Sequence, residues 1–168
     1  MSATIQIHEM SALDAGTDKT SGTVRFKDAD NATVDTNNPL IVPTGATIYS
    51  YSKKVRAYME APPSVNVQNF RWYTDGSNTF GAGIAVTVKN LGVTWGANFK
   101  TAQSGGADLF GKTSAAPLDG DATDTGPFVP ADDDSYIGDL IELQMSVSNA
   151  ASNGQLSAET LTCSFDEI

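Results

Sequence analysis

The chain of 168 residues has one cysteine and one histidine, and only 10 of its residues are lysine or arginine. A single cysteine, Cys163, cannot form an intramolecular disulfide, and its alternation with Leu161 and Phe165 reads as a small buried hydrophobe. A Ser-His-Asp or Cys-His mechanism needs a histidine base beside its nucleophile. His8 falls on the polar side of an alternating segment, which reads as a structural or solvated histidine. Zinc needs clustered His and Cys ligands, and one of each, far apart in the chain, offers none. No apolar run approaches membrane-spanning length, and the first residues show neither the basic start nor the apolar stretch of a secretory signal. Synthesis in a cytoplasm and a soluble product are therefore expected. Long stretches rich in Ala, Glu, Leu and Lys are missing too, which argues against a helical bundle.

Basic residues are outnumbered by 20 acidic ones, giving a formal charge of −10 and a pI near 4.3. Such a surface repels phosphate backbones, so no nucleic-acid partner is expected. The plain reading of the charge is solubility, and cation binding or docking on a basic partner is the functional alternative. Hydrophobic residues make up 40% of the chain, enough for a globular core, and 15 glycines among many Ser, Thr, Asn and Asp favour short strands joined by turns.

Alternation of period two supplies the strand signal. It appears at Ile5 and Ile7, at Val24 and Phe26, and over 47–60 with Val55, Ala57 and Met59 on one face. Pro62-Pro63 breaks the pattern before Val65, Val67 and the run Phe70-Arg71-Trp72-Tyr73. Asp75-Gly76 reads as a turn, followed by Ile84, Val86 and Val88 and by a further candidate strand over 91–99. Ile141, Leu143, Met145 and Val147 alternate with polar residues, as do Leu161, Cys163 and Phe165. Residues 10–21, 28–43 and 103–135 read as irregular connections, the last unusually long for a compact domain. The expectation is one all-β domain over 1–168, a two-sheet antiparallel β-sandwich with jelly-roll-like or immunoglobulin-like connectivity and long loops.

Three acidic stretches, Asp28-Ala-Asp30-Asn31, Asp119-Gly-Asp121 with Asp124, and Asp132-Asp133-Asp134, offer closely spaced oxygens of the kind calcium takes. None completes a calcium loop, so they read as solvated turn carboxylates, and no metal or cofactor is expected. A glycosidase would need two acids facing one cleft, and no spacing marks such a pair. The aromatic group Phe70, Trp72, Tyr73, Phe80, Trp95 and Phe99 reads as core and subunit interface. Its rival reading is a sugar-stacking platform, which requires Trp72, Tyr73 or Trp95 to be exposed and coplanar. Catalytic, cofactor and metal residues are all expected to be none.

Three blocks carry a resemblance: Ala12-Leu-Asp-Ala-Gly-Thr-Asp-Lys-Thr-Ser-Gly-Thr-Val-Arg-Phe26, Asn69-Phe-Arg-Trp-Tyr-Thr-Asp-Gly-Ser-Asn78 and Ala158-Glu-Thr-Leu-Thr-Cys-Ser-Phe-Asp-Glu-Ile168. With them, nearly the whole chain resembles a group of small virion structural proteins of tailed bacteriophages. The resemblance implies a non-enzymatic head decoration (cement) protein bound to the outer capsid surface between capsomers. It further implies a homotrimer whose partner is the major capsid protein. A tail or fibre component and a carbohydrate-binding sandwich domain are the alternatives. No site residue is carried over, because the group has no catalytic signature.

Overall fold

In the computed structural model, residues 2–12, 15–34, 36–61, 66–132, 134–154 and 156–168 are described. Strands β1 (Thr4–Ala12), β2 (Ala15–Asp18), β3 (Ile48–Tyr49), β4 (Lys53–Ala61), β5 (Val67–Tyr73) and β6 (Ile84–Asn90) come first. β7 (Ala107–Asp108), β8 (Leu118–Asp119), β9 (Ser135–Val147) and β10 (Thr162–Glu167) follow. Seven of them form one antiparallel sheet in the order β2-β1-β4-β9-β6-β7, with β3 also paired to β9. The other three form a second sheet, β10-β5-β8. The fold is the expected two-sheet β-sandwich, although this strand order does not establish a jelly roll.

Alternation explains the core. Val55, Ala57 and Met59 of β4 and Ile137, Ile141, Leu143 and Met145 of β9 face inward, and the small sheet answers with Phe70 and Trp72. Removing such side chains from water is the main force holding the layers together, at about 2 kcal/mol for each large one. Opposite Arg56 the register jumps, so that Val55 pairs with Ile141 and Ala57 with Ile137. Gly138 carries this bulge in a left-handed conformation, φ 67°, where a Cβ would press on the Gly120 carbonyl oxygen.

Several local expectations give way. Within 10–21, where a loop was expected, the end of β1 pairs antiparallel with β2, Met10 opposite Gly16. Val24 and Phe26 pack on the core from a segment outside any strand, and 91–99 is also irregular. There Asn90 Oδ1 accepts from Gly92 N at 2.6 Å, and Gly92 turns the chain at φ 62°. The long 103–135 stretch is subdivided by β7, β8 and two single 3₁₀ turns, Leu109–Gly111 and Pro130–Asp132. Pro62-Pro63, Val65 and Asp133 lie outside the described residues.

The expected one-face-in, one-face-out pattern fails for β9. Glu142 and Gln144 should meet water, yet both are buried. A strap of residues 91–104 covers this outward face. Gln144 Nε2 donates to Ser50 O and Thr101 O, and Gln103 Nε2 donates to Glu142 Oε1 at 3.0 Å. β9 is thus a central strand covered on both sides, and its polar residues are satisfied from the strap.

Candidate functional site

Three of the chain's seven lysines are withdrawn from solvent. Lys27, Lys53 and Lys54 are each only 1% exposed. On the inward side of β1 and β4, Glu9 Oε1 lies 3.1 Å from Lys53 Nζ, and Glu9 Oε2 lies 3.7 Å from Lys19 Nζ. Three ammonium groups then donate to three successive carbonyls of one loop. Lys53 reaches Asn31 O at 2.6 Å, Lys19 reaches Ala32 O at 2.8 Å, and Lys27 reaches Thr33 O at 2.8 Å. Charged donors make stronger hydrogen bonds than neutral ones, so the clamp fixes the loop's backbone. The same connection, residues 28–47, presents Val34 at 51% and Ile41 at 74% exposure. Isolated apolar side chains on a surface are ordinary, but here Val34 directly follows a backbone held by buried charges. Sequence alone could not find this clamp, because Lys53 joins Lys19 and Lys27 at one loop only through the fold.

Lys54 faces the opposite way, outward under the strap. Its Nζ lies 3.3 Å from Glu142 Oε2 and donates to Asn98 Oδ1 at 2.7 Å and Ala97 O at 3.3 Å. The rings of Trp95 and Phe99 flank it, with centroids at 5.5 and 5.9 Å. Beside this group lies a largely apolar hollow of about 540 Å³ that includes Leu91, Thr94 and Lys89. A second hollow, of about 640 Å³, opens over His8, Arg56, Tyr58 and Tyr136. His8 stacks on Tyr58 at 4.6 Å and meets the edge of Tyr136. Its Nε2 lies 2.7 Å from Gln6 Oε1 and its Nδ1 3.2 Å from the Tyr136 hydroxyl. An amide oxygen only accepts, so the proton sits on Nε2 and the tyrosine donates to Nδ1. Burial holds His8 below its ordinary value, with Asp18 and Glu60 partly opposing the shift. His8 is thus tied into an aromatic group, in keeping with a structural role.

The aromatic residues do not assemble into one platform. Trp72 is 1% exposed in the core, whereas Trp95 lies across the large sheet with the Lys54 ammonium near its ring. Phe70 packs on Phe128 and Phe165, and Phe80 packs on Phe110.

The acidic stretches serve as local ties. Asp28 pairs with Lys100 at 2.5 Å and Asp124 with Arg56 at 2.8 Å. Asp121 accepts from Asn69 N, while burial raises its pKa above the ordinary carboxylate value. Buried Asp139, missed in the sequence, gathers the backbone N–H groups of Thr123 and Asp124 and the amide of Asn90. Among the described residues no group of three His, Cys, Asp or Glu is placed to hold a metal ion. Cys163 is free and packs against both halves of the core, where burial pushes its thiol up to about 12. Among the described residues no helix is long and apolar enough to cross a membrane.

The fold defines a two-layered antiparallel β-sandwich. Compared with protein-family models, curated proteins and solved structures, the chain matches none. The resemblance to phage virion proteins therefore rests on the three sequence blocks alone.

Proposed function

We propose that this protein is a non-enzymatic virion structural protein of a tailed bacteriophage, a decoration (cement) protein of the head. It binds the outer capsid surface between capsomers, as a homotrimer on the major capsid protein. The observation that carries this reading is the lysine clamp beneath residues 31–33, next to the exposed Val34, on a connection that also exposes Ile41. A backbone already ordered loses less conformational entropy on docking, so modest apolar contacts suffice to bind. Repetition around a symmetric shell multiplies a weak contact through avidity. Turning lysines inward also leaves the acidic exterior with few cations to offset it, and that favours the outside of a DNA-filled shell.

The test is co-sedimentation of purified protein with shells that lack it, alongside the Ile41→Asp variant. Saturable binding by the native chain, weakened at least tenfold by the variant, supports the proposal. Equal binding by both, or none by either, refutes it. A solution mass of a strict monomer would count against the trimer.

The rival sugar-binding reading would use the hollow beside Trp95, and predicts that soluble polysaccharide quenches tryptophan fluorescence. A tail or fibre component would bind tail assemblies in the same sedimentation assay and leave the shells unoccupied.

A further inference from the structure

Lys54, Asn98 and Glu142 bring together every group needed to join two side chains covalently. Lys54 is a primary amine on β4, and Asn98 is a primary carboxamide on the strap. The amine nitrogen is 2.7 Å from Asn98 Oδ1, which places the carbonyl carbon one bond further on. Glu142 Oε2, 3.3 Å from the same nitrogen, stands where a proton acceptor is required. Lys54 and Glu142 are 1% and 3% exposed, and the Trp95 and Phe99 rings flank the amine. On the far side of the amide, Asn98 Nδ2 donates to the exposed Asp30 at 2.6 Å, so the leaving nitrogen points toward solvent. Gln103 Nε2 holds the other Glu142 oxygen at 3.0 Å, fixing the carboxylate beside Lys54.

We infer that Lys54 and Asn98 form an intramolecular isopeptide bond, with Glu142 as the proton carrier. Glu142 takes a proton from the Lys54 ammonium, and the freed lone pair attacks Asn98 Cγ. The tetrahedral centre collapses as Glu142 passes protons to Nδ2, and the Cγ–Nδ2 bond breaks. Of the three protons on the ammonium, one stays in the new amide and two leave with the asparagine nitrogen as ammonium. Charge and electrons balance, and no oxidant or cofactor enters. Ordinary lysine and asparagine side chains do not react in water. Here the fold supplies what is missing, which is a fixed approach and an adjacent base, with amine and carboxylate both buried. The bond would close the strap permanently over β9, linking positions 44 residues apart. The inference does not depend on the virion assignment.

Intact-mass spectrometry of the folded full chain decides it. The expected mass falls short of the sequence mass by one ammonia, about 17 Da, the group lost when an amine displaces a carboxamide nitrogen. Digestion should yield a branched peptide containing both Lys54 and Asn98, with no tryptic cleavage after Lys54. Glu142→Gln and Asn98→Ala should each restore the full mass, with circular dichroism confirming a folded chain. A folded native chain of full mass overturns the inference. So does a shortfall that maps to Asn153-Gly154, where succinimide closure also releases ammonia.

Discussion

Replacing Glu9 with glutamine keeps the side-chain volume but removes the carboxylate shared by Lys53 and Lys19. The three side chains are 3%, 2% and 7% exposed, so water cannot step in to solvate the remaining ammonium groups. Breaking a buried pair by removing one partner typically costs about 3 to 5 kcal/mol, because the surviving charge stays buried. The carbonyls of Asn31 and Ala32 still accept from both lysines, which places Glu9→Gln toward the lower end, about 3 kcal/mol. With a urea dependence of about 2 kcal/mol per molar, the unfolding midpoint should drop by roughly 1.5 M. Glu9→Leu combined with Lys53→Met removes both charges of the closer pair and should recover roughly half of the loss. The assay is equilibrium urea unfolding followed by tryptophan fluorescence, since Trp72 lies in the core between the sheets. Amide hydrogen exchange at 31–34 should accelerate in the same variant, because two of the loop's three anchors, Lys53 and Lys19, share that carboxylate. A midpoint shift below about 0.3 M, or unchanged exchange, would show that the clamp is not held by charge.

Three other outcomes follow from the same physics. His8 has a depressed pKa when folded, so its contribution is complete above its unfolded value of 6.5 and is lost as pH falls from there through the folded value. Urea midpoints measured from pH 7.5 to 5 should therefore decline, and His8→Gln should flatten that decline; identical slopes would refute the assignment. Gly83 sits at φ 76° with the Ala151 backbone nitrogen where a Cβ would go, so Gly83→Ala should cost more than about 2 kcal/mol in thermal or urea unfolding. Cys163, half-buried and raised to about 12, should react slowly with a thiol reagent at pH 8 until the chain unfolds; rapid stoichiometric labelling of the native protein would contradict that shift.

Where apolar residues alternate along a strand, the sequence announced its buried side. Ile5 and Ile7, Val55 to Met59, Val86 and Val88, and Ile141 to Met145 all alternate as the sheets require. Alternation reports burial and not pairing, however. Val24 and Phe26 show the pattern and pack on the core, but their backbone joins no sheet. Around 91–99 the side chain of Asn90 captures Gly92 N, and that local tie competes with a strand.

The candidate sites were illegible for a different reason. Lys54, Glu142 and Gln144 occupy positions that a two-layered sheet would give to solvent, and only the strap makes them interior. Nothing in the local pattern of 91–104 says which face it will cover. The same holds for the Glu9 clamp, where Lys19, Lys27 and Lys53 meet one loop only through tertiary folding.

The most direct test of a docking role without catalysis is to locate this chain in a cryo-electron reconstruction of the particle that carries it. Density on the outer head lattice, at the joints between capsomers and with residues 28–47 against the shell, is the predicted result. Density along the tail, or a particle that excludes the protein altogether, would contradict it.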